Sequence, residues 1–200
     1  MPNLARSAAR PPHRLPRETI CTRLAASALG AVTRHSDEEA AVSEYEVSRR
    51  AMTAADPEAV IALVEDFRAW PSWSPWEGID PDLERVYSGA DRGPGAAYAW
   101  SGNRKAGAGR MEITDQAADR VEVALEFSRP MRSRAAVTFH VTGRADGAEI
   151  VWRMTGPRTV ATRALGVIGG MDRLMGPDLE RGLAQLVRAA EQGATAQDAP

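Results

Sequence analysis

Residues 171–191 read MDRLMGPDLERGLAQLVRAAE, and the apolar positions Met171, Met175, Leu179, Leu183, Leu186 and Ala190 recur every three or four residues. That spacing sets all six on one side of an α-helix. Gly176-Pro177-Asp178 interrupts the pattern. Pro177 suits a first helical position, and Asp178 and Glu180 suit the positive end of a helix dipole, so a kink or restart is expected there. Gly193 is expected to end the helix. Residues 159–174, broken by Gly166, Gly169 and Gly170, read as a weaker helical stretch leading into it.

Upstream of this helix the period falls from 3.6 to 2. Val121, Val123, Leu125 and Phe127 alternate with Glu122, Ala124, Glu126 and Ser128, and Ala135, Val137, Phe139 and Val141 alternate with Arg134, Ala136, Thr138 and His140. Ile150, Trp152 and Met154 continue the pattern, as do Tyr98 with Trp100 and Met111 with Ile113. Short polar turns separate these runs, which makes neighbouring strands antiparallel hairpins with one apolar and one wet face. A further short strand precedes them at residues 83–87.

The region before the strand run begins with another strand, residues 45–53, in which Tyr45, Val47, Arg49 and Ala51 share one face. Asp56-Pro57-Glu58 then signals a helix start, with Asp56 as N-cap and Pro57 at the first position. The helix carries Val60, Ile61, Val64 and Phe67 on one side and is expected to end near Arg68. Residues 67–76, FRAWPSWSPW, hold three of the five tryptophans within seven positions. Pro71 and Pro75 restrict this stretch to a short helix and turn. Packing at one end of a core is the simpler role for Trp70 and Trp73, and the mouth of a pocket is the alternative.

Composition narrows the function classes. A net charge of −2 gives no global basic field of the kind that draws nucleic acid. The one cysteine, Cys21, rules out an intramolecular disulfide or a cysteine-based zinc site. With His140 the only histidine after residue 42, no metal site and no cofactor are expected. The longest uncharged stretch, residues 93–103, is far short of the roughly 20 apolar residues that span a bilayer, so no stable membrane insertion and a cytoplasmic location are expected. Residues 1–42 hold arginines, prolines and few acids and read as a disordered leader; a targeting peptide, or translation starting after Met1, are the alternatives. Residues 43–192 form the expected domain and 193–200 a disordered tail.

The order of one strand, two short helices, six further antiparallel strands and a long C-terminal helix resembles the START-like, or SRPBCC, superfamily. The resemblance rests on AADPEAVIALVEDFRAWPSWSPW, the GPGAAYAWSGN and GAGRMEI hairpin, VWRMTGP and GMDRLMGPDLERGLAQL, and points to a polyketide cyclase/dehydrase-like subgroup. It implies the α+β helix-grip, birch-pollen-allergen-like fold, a seven-stranded antiparallel sheet wrapped around the last helix with an apolar cavity between them. Members bind lipids and hormones or act as aromatase/cyclases. A hydrophobic small molecule, a lipid or a polyketide-like compound, is therefore the expected partner, and a cyclase or dehydratase using the same cavity is the alternative.

Within such a cavity the candidate ligand-binding residues are Trp73, Trp76, Tyr98, Trp100, Met111, Phe127, Phe139, Trp152, Met154, Met171 and Met175. Nearly all are apolar, which suits binding better than proton transfer, and no catalytic residue is assigned. His140 falls on the wet face and reads as a surface histidine. Asp172 could face the cavity, although a cap or a surface ion pair with Arg173 or Arg153 is the simpler account. Arg104 and Lys105, and Arg129, Arg132 and Arg134, mark two hairpin tips and read as solvated charge, with an anionic headgroup site as the alternative. Oligomeric state is not readable from these patterns.

Overall fold

The computed structural model of the protein describes residues 44–158 and 170–197. The expected leader over 1–42 and most of the weak helical stretch over 159–174 lie outside them. Seven strands form one antiparallel sheet: β1 (Glu44–Thr53), β2 (Glu84–Gly89), β3 (Ala96–Ser101), β4 (Ala108–Ala117), β5 (Arg120–Arg129), β6 (Ser133–Arg144) and β7 (Gly147–Pro157). Their order is β1-β7-β6-β5-β4-β3-β2. The six strands after the first are a meander of hairpins, as the short polar turns require. β1 reaches across to pair with β7 along its whole length, from Glu44 opposite Pro157 to Thr53 opposite Ala148. Two register shifts in β4, at Ala108/Gly109 and Ile113/Asp115, insert bulges of the kind that bend a sheet.

One face of this sheet supplies the core. Val47, Ile113, Val121, Val123, Val137, Phe139, Val141, Ile150 and Trp152 are all buried, in the alternation expected of them. β2 departs from that pattern. Most of its residues are exposed on both faces, because it is an edge strand with no helix above it.

α1 (Pro57–Val64) starts at Asp56 and Pro57 as expected but stops at Val64, short of Arg68. Its end is set by the tryptophans. The indole Nε1 of Trp73 donates to the Leu63 carbonyl at 3.1 Å and that of Trp70 to the Val64 carbonyl at 3.0 Å. These are carbonyls a helix end leaves without an internal partner. The chain turns through a single 3-10 turn at Trp70–Ser72 instead of extending the helix.

α2 (Gly170–Gln197) closes the open face, with Leu179, Leu183, Leu186 and Ala190 buried. It passes through Pro177 without a restart, one of the two alternatives expected there, and through Gly193 without ending, contrary to the expected stop. Pro177 removes the hydrogen bond that its amide would have made to the Arg173 carbonyl, a local loss. Arg49 spans that weak point. From the inner face of β1 its guanidinium reaches Asp172 at 2.7 Å on one side of Pro177 and Glu180 at 2.6 Å on the other. This corrects the expected partners of Asp172: neither Arg173 nor Arg153 takes it, because α2 lies over β1.

The hydrogen bond from Arg49 holds the Asp172 carboxyl below its ordinary pKa. A depressed carboxylate contributes stability that is complete above its unfolded pKa and is lost as pH falls through the lower folded value. Asp172→Asn is therefore expected to lower the melting temperature by a few degrees at neutral pH, and the gap from wild type should shrink once the pH drops below about 4. A gap that stays constant on acidification would show that the carboxylate charge contributes nothing.

Candidate functional site

The inward side chains divide into a sealed half and an open half. Trp70 and Trp73 fold down from the loop after α1 onto Phe139, with ring centroids 6.2 and 5.9 Å from it. Trp73 also meets Trp152 edge-to-face at 5.8 Å, and Phe139 lies 4.8 Å from Trp152. Trp73, Phe139 and Trp152 are at most 1% exposed. They belong to the closed core and are absent from the lining of the cavity beside it, which Trp70 does reach.

The other half is not filled. A cavity of about 320 Å³ lies between β3, β4, β5, β7, the loop of residues 73–83 and the first half of α2. Its walls include seven of the eleven candidates: Trp76, Tyr98, Trp100, Met111, Phe127, Met154 and Met175. Met171, in the first turn of α2, is half-buried but outside this lining. Such a volume is near the lower end of small-molecule sites, about 300 to 1,000 Å³, and fits a compact ligand. A second depression of about 530 Å³, between α1 and the β4–β5 turn, is an open surface groove. Of its two carboxylates, Glu58 and Glu65, the second is taken by Gln116 and Arg92.

The aromatic wall is held in place. Trp100 donates its Nε1 hydrogen to the Ala106 carbonyl at 3.1 Å and meets Phe127 edge-to-face at 5.5 Å. Opposite it on β4 is Gly109, where a Cβ would come within 2.4 Å of the Trp100 ring and of the Glu126 carbonyl oxygen. The indole therefore lies flat over a residue that has no side chain. Tyr98 stacks between Tyr87 at 5.2 Å and Trp100 at 6.0 Å.

The polar groups gather around Trp76 and Glu77. Tyr98 donates its hydroxyl to Glu77 Oε1 at 3.2 Å, and Arg85 Nε donates to Glu77 Oε2 at 3.1 Å. Burial, reinforced by the Glu77 charge, pushes the Tyr98 hydroxyl well above the ordinary tyrosine range, so it stays protonated at neutral pH. With that proton bonded to Glu77, the Tyr98 oxygen is left as an acceptor. Trp76 donates to Asp178 Oδ2 at 3.3 Å, and Asp178 also accepts from Arg181 at 2.8 Å. The loop carrying Trp76 and Glu77 is tied to the β3–β4 hairpin by Asp80, which is buried and accepts from the Asn103 amide at 2.5 Å.

Sequence reasoning named Trp76 and Tyr98 but missed their acidic partners, Asp178 and Glu77. Asp178 reads as helix-dipole chemistry, and nothing in the spacing of Glu77 joins it to Tyr98, 21 residues away. His140 is half-buried on β6 and absent from the cavity lining. Among the described residues no group of three or more metal-ligating side chains occurs, and no helix is long and apolar enough to cross a membrane.

A bent antiparallel sheet gripping one long helix over an amphipathic cavity defines a START-like, helix-grip protein. The model of the polyketide cyclase / dehydrase and lipid transport family matches residues 44–191, and the chain belongs to that family. No curated protein matches the chain significantly. Solved structures share the fold at low identity. One is protein CV1439 from Chromobacterium violaceum, with 14% identity, 73% of this chain and 96% of that one covered, and a TM-score of 0.53. Another is the di-domain ARO/CYC StfQ from the steffimycin biosynthetic pathway, with 14% identity, 76% and 52% covered, and a TM-score of 0.57. A third is Ara h 8.0201, with 11% identity, 77% and 99% covered, and a TM-score of 0.51.

Proposed function

We propose that residues 43–192 bind a compact hydrophobic small molecule, a lipid or a polyketide-like compound, in the cavity between the sheet and α2, with the cytoplasm as the compartment. The observation that carries this reading is the composition of the cavity wall. Trp100, Met111, Leu125, Phe127, Met154 and Met175 form an apolar surface, and the polar groups of Glu77, Tyr98 and Asp178 collect at one corner, with Ser74 and Lys105 the other polar side chains of the lining. Few convergent polar groups in an apolar pocket orient a ligand without demanding a charged one. Methionines adapt to irregular shapes, which suits a wall that accepts related ligands.

Native mass spectrometry of the freshly purified protein tests this. A co-purifying apolar molecule, released on denaturation and replaced by an added hydrophobic probe at one per chain, is the expected result. A protein that is empty and takes up no probe would sink the reading.

The Tyr98–Glu77 hydrogen bond supports a second reading, a cyclase- or dehydratase-type enzyme in which the pair orients a carbonyl substrate. StfQ, an ARO/CYC by its title, shares the fold. Turnover of a poly-β-keto substrate, abolished by Tyr98→Phe while apolar-probe binding persists, would favour the enzyme. Unchanged turnover in that variant would remove the pair from any mechanism.

A further inference from the structure

Two groups of cations that lie apart in the sequence meet at one end of the sheet. Arg104 and Lys105 stand on the β3–β4 hairpin, and Arg129 and Arg132 on the β5–β6 hairpin. Pairing of β4 with β5 puts Ala108 opposite Arg129, and Arg129 donates to Ser101 Oγ at 2.9 Å, so the two tips are neighbours. All four side chains belong to exposed residues. Most described arginines sit in ion pairs, but none of these four does among the described residues.

The carboxylates at this end are committed elsewhere or set to one side. Glu126 is paired with Arg134, Asp172 with Arg49, and Asp80 with backbone amides. Asp82 and Glu84 flank the β3–β4 hairpin on its β2 side, away from the β5–β6 tip. The patch is therefore locally basic in a chain whose net charge is −2.

Exposed apolar side chains stand at the same end. Met131, at the β5–β6 tip between Pro130 and Arg132, is 50% exposed. α2 begins at the same end, because Glu191 near its other terminus is bound to Thr53 and Ala54 at the far end of β1. Leu174, in the first turns of α2, is 54% exposed. Lys105 also lines the cavity, so the patch adjoins it.

We propose that this end of the protein docks on an anionic lipid surface, with Arg104, Lys105, Arg129 and Arg132 against the headgroups and Met131 and Leu174 entering the interface. Cations alone would suit any polyanion. Exposed apolar tips between them suit a surface that has an apolar layer behind its charge. Each cation brought to such a surface strengthens binding by roughly fivefold, an effect that screens out within a Debye length. Docking in this orientation does not depend on what the cavity holds.

The test is sedimentation of the full chain with vesicles of phosphatidylcholine alone or with about a third phosphatidylglycerol. Expected is binding to the anionic vesicles only, weakened by salt as screening requires. A quadruple variant, Arg104→Gln, Lys105→Gln, Arg129→Gln and Arg132→Gln, should bind at least tenfold more weakly with an unchanged melting temperature. Met131→Asp alone should weaken binding severalfold. Anionic binding that survives the quadruple change would assign it to the arginines of residues 1–42 and overturn the proposal. No vesicle binding, with retention on soluble polyglutamate lost in the quadruple variant, would make the patch a site for an acidic protein and overturn it equally. Apolar-probe uptake by the triple variant Arg104→Gln, Arg129→Gln and Arg132→Gln, which keeps the cavity-lining Lys105, is expected to match wild type, which separates this outcome from a failure of the cavity reading.

Discussion

Trp152→Ala is expected to cost about 3–5 kcal/mol of stability, the range for removing a large buried aromatic. Trp152 is fully buried at the meeting of three layers: Trp73 and Trp76 touch it edge-to-face, Phe139 lies beside it on the sheet, and α2 passes directly over it. The approach is close enough that a Cβ at Gly182 would fall 2.5 Å from the Trp152 ring and 2.9 Å from Pro75. Trp73 and Trp76 are anchored by their own hydrogen bonds, which limits collapse into the space left by the indole. Trp152→Phe should retain most of the stability. The indole Nε1 is buried without a hydrogen-bond partner among the described residues, and phenylalanine removes that unpaired donor along with the lost volume. Thermal or urea unfolding of the three proteins checks this; an alanine variant as stable as wild type would remove Trp152 from the core. Any ligand uptake lost in Trp152→Ala follows from unfolding, in contrast to Trp100→Ala, which should lose uptake while still folded.

The second large effect is on binding. Met111 stands on β4 between Tyr98 of β3 and Leu125 of β5, all three in the cavity wall. Met111→Trp directs a larger, flat side chain into that void. Placed in a filled core, such a change costs about 1–3 kcal/mol, but here there is space to receive it. The expected result is a fold of near wild-type stability whose affinity for an apolar probe falls at least tenfold. His140→Ala, on the far side of the sheet from the cavity, should change neither. Retained affinity in Met111→Trp would place the probe elsewhere, the open groove beside α1 being the first place to look.

How much of this was legible follows from which forces are local. Alternation in β5, β6 and β7 and the three-four spacing of Leu179, Leu183, Leu186 and Ala190 are local signals, and they specified both the sheet and the helix that covers it. The same signals could not separate Trp152 and Phe139 from Trp100 and Phe127, because all four are inward aromatics on alternating strands. The division is made by the loop after α1. Trp70 and Trp73, held by the Leu63 and Val64 carbonyls, cover the first pair and leave the second bare. Nothing in the strands encodes that cover. Glu77 with Tyr98, Arg49 with Asp172, and the two cationic hairpin tips are likewise tertiary meetings of residues whose local readings were capping, strand or solvated charge. The run through Pro177 belongs with them, since the Arg49 clip is made by another element.

The central claim is that the space under α2 is a ligand site and not a packing defect. A fluorescence titration of the wild-type protein and Met111→Trp with a polarity-sensitive apolar dye addresses it most directly. The account predicts saturable binding of one dye per wild-type chain and its loss in the variant. Dye binding that is unsaturable, or equal in the two proteins, would contradict it.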